Sequence, residues 1–273
     1  AHPVATDLMA GLNPPQQQAV AHGPGPLLIL AGAGAGKTTV ITRRIAHLLQ
    51  SGQAQADEVL AVTFTNKAAS ELKERLAHLL EQGAGKGGPG PLFAHQPWMV
   101  RGMWVGTFHS VCGKILRFDL DKLPNSPYGS NFCIFDDADQ VSVVKGALDR
   151  LGLDDKSYAP RAMLSKISGF KSQALTTEQV HEAARGYQHQ NLARIYEAYQ
   201  QELARQNALD FDDMLLLTVR LFQAVPEVLA KYQARFKYIL VDEYQDTNHT
   251  QYELIRMLSA KSRNLCVVGD DDQ

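Results

Sequence analysis

Leu27-Leu28-Ile29-Leu30-Ala31-Gly32-Ala33-Gly34-Ala35-Gly36-Lys37-Thr38 is the stretch on which the fold turns. A short apolar run bounded by Pro26 and by alternating alanine and glycine has the length and setting of a buried parallel strand. The small residues after it let backbone N–H groups close around phosphates. Lys37 brings positive charge for the β- and γ-phosphates, and the Thr38 hydroxyl can reach Mg²⁺. Val40, Ile41, Ile45, Leu48 and Leu49 lie near helical spacing and predict a helix over Lys37–Gln50. Strand, glycine-rich turn and helix in this order form a phosphate loop. Its leading position is Ala31 where the pattern G-x-x-x-x-G-K-[ST] has glycine.

Working outward, the same grammar repeats. Residues 1–10 are an unpatterned lead-in, and Asn13 followed by Pro14 and Pro15 caps a short helix over Gln16–Ala21. Val59–Thr63 reads as a strand and Asn66–Leu80 as a helix with Leu72, Leu76, Leu79 and Leu80 along one side. Strand, helix, strand, helix implies an α/β parallel sheet. The chain is Gly/Pro-rich between Gln82 and Pro97, a surface loop, before a third apolar run at Met103–Thr107. From about Ser110 to Phe236 the patterning is mainly helical, best over Val141–Leu151, Glu178–Arg205 and Asp212–Phe222. Strand-like runs return at Tyr238–Val241 and Leu265–Val268, flanking a helix over Thr250–Leu258. The reading is a core domain over residues 1–107 plus 236–273, split by a helical subdomain at 108–235.

A phosphate loop needs an acidic partner for the metal at the end of another apolar strand. Ile239-Leu240-Val241-Asp242-Glu243 supplies one: Asp242 for Mg²⁺, Glu243 to orient and deprotonate an attacking water, a contribution typically of ~10²–10⁴ in rate.

Composition sets the class. The 273 residues are 45% hydrophobic and 21% charged, the profile of a soluble globular chain. With 27 Lys+Arg against 29 Asp+Glu the net charge is −2, which taken alone argues against nucleic acid. The three cysteines, Cys112, Cys133 and Cys266, are too scattered for a disulfide framework or a zinc site and fit a reducing cytoplasm. No run is long and apolar enough for a membrane span, and the N-terminus lacks the pattern of a secretory signal.

Six segments in series then carry a resemblance: Ala31–Thr38, Thr63-Phe64-Thr65-Asn66-Lys67-Ala68-Ala69, Gly106-Thr107-Phe108-His109, Asp210-Phe211-Asp212-Asp213-Met214-Leu215, Val241-Asp242-Glu243-Tyr244-Gln245-Asp246-Thr247-Asn248 and Val268-Gly269-Asp270-Asp271-Asp272-Gln273. The chain after Leu12 resembles the UvrD/PcrA/Rep family of superfamily 1 DNA helicases. The resemblance implies a RecA-like P-loop NTPase sheet with an inserted helical subdomain, ATP and Mg²⁺ as cofactors, and ATP-driven 3′-to-5′ translocation and unwinding in DNA repair.

The implied roles fall residue by residue. Gln16 matches the family's adenine-reading glutamine, since an amide both donates and accepts. Ala33, Gly34, Ala35, Gly36, Lys37, Thr38 and Thr39 match the residues around ATP, Thr38 and Asp242 the metal contacts, and Glu243 the catalytic base. Gln273 matches the glutamine that senses the γ-phosphate. Relatives often carry Ser and Arg where this chain has Ala35 and Thr39. For DNA the resemblance points to Phe64, Thr65, Asn66, Phe108, His109 and Phe211, aromatic faces for stacking and short polar groups for phosphates, with Lys67 and Lys171 as further phosphate contacts. The implied partners are single-stranded DNA, single/double-strand junctions and DNA repair proteins, with no membrane.

Two alternatives stay open at this level. One is a module that binds nucleotide and DNA without turnover, because a second RecA-like domain with its arginine fingers is expected to lie outside this chain. The other is a subunit of the related recombination helicase-nucleases.

Overall fold

Five strands pair side by side, all parallel, in the order β1-β7-β6-β2-β3. They are β1 (Leu27–Leu30), β2 (Val59–Thr63), β3 (Trp104–Thr107), β6 (Tyr238–Val241) and β7 (Leu265–Gly269). This is the RecA-like α/β sheet implied by the sequence. The computed structural model describes residues 7–32, 34–82 and 102–270; Ala33, most of the Gly/Pro-rich stretch and Gln273 lie outside the described residues.

Around the sheet run α1 (Pro14–Ala21), α2 (Lys37–Gln50) and α3 (Asn66–Gln82), and α4 (Phe108–Asp119) follows β3 in the chain. Helix α1 starts two residues before the expected Gln16, because Asn13 and Gln16 form a reciprocal capping box and the prolines occupy the first turn. Apolar residues at helical spacing on α2 (Ile41, Ile45, Leu48) and α3 (Leu72, Leu76) pack with Val59, Ala61, Tyr238, Leu240, Cys266 and Val268 of the sheet. Strand β1 departs from the expectation of full burial. Its side chains alternate between faces: Leu27 and Ile29 pack inward, while Leu28 and Leu30 on the other face are 60% and 57% exposed.

The chain divides into two compact units, one of residues 1–111, 230–247 and 256–273, the other of 112–229 and 248–255. The second unit is mainly helical: α5 (Asp137–Leu151), α6 (Pro160–Ser172), α7 (Thr177–Ala183), α8 (Gly186–Arg205) and α9 (Phe211–Ala224). The helical run expected over Glu178–Arg205 is two helices, broken at Ala184–Arg185, where Gly186 takes φ +76°. Two short strands went unread, β4 (Cys133–Ile134) and β5 (Ala208–Leu209), too brief to show a period. Helices α10 (Pro226–Arg235) and α11 (His249–Ser259) flank β6. The first turns of α11 belong with the second unit, where the Thr250 hydroxyl donates to the carbonyls of Lys171 and Ser172.

Lys171, expected on the surface as a phosphate contact, is instead wholly buried in that unit. Its ammonium lies 2.6 Å from Asp210 and 2.8 Å from Asp213. Tyr199 donates to Asp210 at 2.8 Å, and Gln200 donates to Asp213 at 3.2 Å. A long side chain with no solvent access cannot reach a DNA phosphate; it neutralises two carboxylates that cap and begin α9. Burial and the like charge of Asp210, opposed by Lys171, push the Asp213 carboxyl up to about 6.

Removing only the cation strands two buried carboxylates, so Lys171→Met should cost about 3–5 kcal/mol in urea unfolding. Because Asp213 binds its proton more tightly folded than unfolded, its contribution to stability grows as pH falls from roughly 7 toward 4. The difference in stability between the unaltered chain and Asp213→Asn should vary over that window, and a difference independent of pH would contradict the assignment.

Candidate functional site: a nucleotide-binding rim

Glycine makes the turn after β1 possible. Gly34 and Gly36 sit at φ +78° and +81°, a region that side chains avoid, and Gly36 occupies the N-cap of α2. A Cβ at Gly36 would also lie 3.2 Å from the Gln16 amide nitrogen. The first helical bond of α2 runs from Val40 N–H to the Gly36 carbonyl. The free N–H groups of the first turn, with the helix dipole behind them, face the loop and favour an anion. Ala35 is exposed, and Thr38 is half-buried at the start of α2.

Lys37 reaches across to β7, its ammonium 3.0 Å from the Asp270 carboxylate, with 12% and 6% of the two side chains exposed. Burial works against the Lys37 charge, but Asp270, Glu243 and Asp242 outweigh it and hold its pKa above the ordinary lysine value. The ammonium is therefore charged and held near the rim.

Gln16 is engaged with the chain itself. Its oxygen accepts from Asn13 N–H at 3.0 Å, and its nitrogen donates to the Ala35 carbonyl at 3.0 Å. Reading adenine would require it to exchange one of these bonds. Thr39 lines a cleft of about 430 Å³ with Arg43, Arg75 and His78.

The acidic pair follows β6. Asp242 is buried; burial, and the neighbouring Glu243 charge against the pull of Lys37, raise its carboxyl above the usual range. Glu243 stands at φ +53°, ψ +43°, left-handed backbone that costs a non-glycine residue on the order of 1–3 kcal/mol. Its N–H donates to the Asp242 carboxylate at 3.0 Å, and its carbonyl accepts from Asp246 N–H at 3.0 Å. These bonds hold the turn.

The donor set suits a hard divalent cation. Thr38 offers a hydroxyl and Asp242 a carboxylate whose pKa is raised, first by burial. Among the described residues no cluster of three or more His, Cys, Asp or Glu could hold a metal, so a cation at this site would take most of its ligands from outside the chain.

The candidate DNA residues occupy the neighbouring strand ends and the second unit. Phe64 follows β2 half-buried, and Thr65, Asn66 and Lys67 after it are exposed. The Thr65 hydroxyl accepts from Ala68 N–H at 3.1 Å and so caps α3. Phe108, after β3, is 1% exposed, with its ring edge-on to Phe64 at 5.4 Å. This corrects one expectation: Phe108 has no face for a base and acts as the floor beneath Phe64. His109 is half-buried, while Phe211, in the second unit, is 45% exposed at the first turn of α9.

Three contributors escaped the sequence reading. Asp270 holds the Lys37 ammonium. Gln245 donates to Glu243. Arg44, 2% exposed, donates to the carbonyls of Ala19 and His22 and ties α1 to α2. A charge at position 44, on the helix face shared with Val40, Ile41, Ile45 and Leu48, was the visible signal for the last.

The backbone at Glu243 permits a direct check. Glu243→Ala and Glu243→Gly lose the same side-chain contacts, but only glycine relaxes the left-handed turn. Glu243→Gly should therefore be the more stable to urea by ~1 kcal/mol. Equal stability, or a more stable alanine variant, would remove the strain argument.

Comparison with known proteins gives the geometry its context. Residues 12–273 match the model of the UvrD/REP helicase N-terminal domain. The chain is 45% identical over 270 residues to the ATP-dependent DNA helicase PcrA of Bacillus subtilis (strain 168), covering 99% of this chain and 34% of that protein. It is 45% identical over 266 residues to the ATP-dependent DNA helicase PcrA of Staphylococcus aureus (strain Mu50), covering 97% and 34%. The chain thus spans about a third of the length of the curated relatives it matches. With its phosphate loop, the acidic pair after β6 and the aromatic strand end at Phe64 on one parallel sheet, the chain belongs to the UvrD/REP helicase N-terminal domain family.

Proposed function

We propose that this chain is the nucleotide-binding part of an ATP-dependent DNA helicase that moves 3′ to 5′ on single-stranded DNA, opens single/double-strand junctions and serves DNA repair in the cytoplasm. The observation that carries the reading is the rim itself. The phosphate loop, Lys37 and the Asp242–Glu243 pair stand at the ends of strands in the same sheet as β2, whose end bears Phe64 and the exposed Thr65 and Asn66.

In this reading the backbone N–H groups around Gly34–Thr38 take the phosphates of ATP, and Lys37 leaves Asp270 for the β/γ oxygens. Gln16 moves one of its bonds to adenine. Glu243 orients a water and accepts its proton as the water oxygen bonds to the γ-phosphorus and the bridging oxygen departs with ADP. Thr38 and Asp242 would hold Mg²⁺, which when bound would supply charge neutralisation for the phosphates. Gln273, by family resemblance, senses the γ-phosphate. Phe64 stacks on bases without regard to sequence, Phe211 adds a second aromatic face, and Thr65, Asn66, Lys67 and His109 contact the backbone. A net charge of −2 does not oppose this, since stacking and short polar contacts need no basic surplus.

Arginine fingers from a second RecA-like domain supply ~10³–10⁵ in rate in such enzymes. The chain alone is accordingly expected to bind nucleotide and hydrolyse it slowly.

The test is ATP hydrolysis with and without single-stranded DNA, on this chain and on a protein carrying it at its relatives' full length. Strong DNA stimulation in the longer protein, abolished by Lys37→Ala, is expected. No stimulation would leave only the binding-module reading, and an unaffected Lys37→Ala would overturn the nucleotide site. Affinity for single strands should fall with salt, log K losing ~0.7 per phosphate neutralised for each tenfold rise. Phe64→Ala should weaken it by ~1–3 kcal/mol.

A further inference from the structure

We propose that Gln245 is a positioning residue for ATP hydrolysis, tying the Glu243 carboxylate to the end of β7 so that the base and the Lys37 counter-ion move together. The Gln245 amide nitrogen donates to Glu243 Oε2 at 2.6 Å. Its oxygen accepts from Asp270 N–H at 3.1 Å. Asp270 in turn holds Lys37 through its side chain at 3.0 Å. One amide therefore links the carboxylate after β6 to the backbone after β7, and through Asp270 to the phosphate-loop lysine after β1.

Glutamine suits this position for a reason of valence. A carboxylate needs a donor and a backbone N–H needs an acceptor, and a primary amide offers both from adjacent atoms. The two partners also fix which end of the amide is nitrogen. Glutamate of the same size would accept from Asp270 but repel Glu243; alanine would do neither. The bond to an ionised carboxylate belongs to the stronger, charge-assisted class. It also fixes the side chain of a residue whose backbone is held left-handed. The neighbouring strand end leaves room for the amide: a Cβ on Gly269 would stand 3.3 Å from the Gln245 oxygen and press on it.

The mechanical consequence follows from the shared residue. When phosphate takes Lys37 from Asp270, the Asp270 side chain loses its cation while its N–H remains bound to Gln245. Any shift of Asp270 is then passed to the Glu243 carboxylate, coupling phosphate occupancy to the aim of the base.

The proposal rests on Glu243 as the base, so its test carries that residue as a separate arm. In the full-length protein, kcat and KM for DNA-stimulated ATP hydrolysis are measured for Gln245→Ala, Gln245→Glu, Gly269→Ala and Glu243→Ala, with Tm and affinity for a non-hydrolysable ATP analogue. Gln245→Ala should lower kcat by roughly tenfold or more with KM and analogue affinity nearly unchanged, a loss confined to the chemical step. Gln245→Glu should be worse, and Gly269→Ala should show a smaller loss of the same kind. If kcat stays within about twofold in both Gln245 variants while Glu243→Ala abolishes hydrolysis, the positioning role is wrong and the base assignment stands. Tm, analogue affinity and kcat falling together would make Gln245 a structural residue only and overturn the proposal. Hydrolysis that survives Glu243→Ala removes the underlying reading and the proposal with it.

Discussion

Parallel pairing puts every carboxyl end of the sheet on one side. In register, Leu30 stands beside Gly269, Val241 beside Val267, Val62 beside Val241 and Thr63 beside Thr107. Whatever follows each strand is delivered to a common rim regardless of its distance along the chain. Lys37 and Asp270, 233 residues apart, meet there at 3.0 Å. Parallel strands can be joined only by long crossovers, and those crossovers supply the helices that cover the sheet. The constraint that builds the core thus also assembles the site, in keeping with the rule that open α/β sheets bind ligands beyond their carboxyl ends.

Lys171 and Lys37 divide by what surrounds them. Lys171 has no exposed side-chain surface, and two carboxylates take its charge within the second unit. Lys37 keeps a small opening to solvent, and its partner Asp270 is joined at the rim by Asp242 and Glu243, whose charges also act on it. In the first case the cation completes a closed polar cluster. In the second, three carboxylates, Asp242, Glu243 and Asp270, act on a single ammonium at the rim. The same residue type is closed into a cluster in one place and left at an open rim in the other.

One strained residue stands where chemistry is proposed. Glu243 is one of few non-glycine residues described with positive φ, and it is fixed by its own N–H on Asp242, by Asp246 on its carbonyl and by Gln245 on its carboxylate. A conformation that disfavours the turn locally persists because several neighbours determine it at once. Gly34 and Gly36 reach the same backbone region without such support, having no Cβ to accommodate.

Much of this was legible beforehand. The apolar runs at Val59–Thr63 and Tyr238–Val241 are strands with the expected bounds, and Lys37–Gln50 is the expected helix, because burial on both faces and helical periodicity leave direct marks in composition. Short β4 and β5 and the break at Ala184–Arg185 left none. Phe108 shows the limit for the site: its motif matched the family's DNA residues, yet its ring lies beneath Phe64. Lys171 shows the same limit, since a lone lysine in sequence carries no sign of two carboxylates 39 and 42 positions on, which only helix packing brings to it. The sequence by itself determined the strand-turn-helix units and the residues able to hold phosphate and metal, because those depend on local spacing and side-chain chemistry. The tertiary structure alone decided which aromatic is exposed, which lysine is buried, and that Gln245 joins Glu243 to Asp270, because such contacts arise from strand register and burial between segments far apart in the chain.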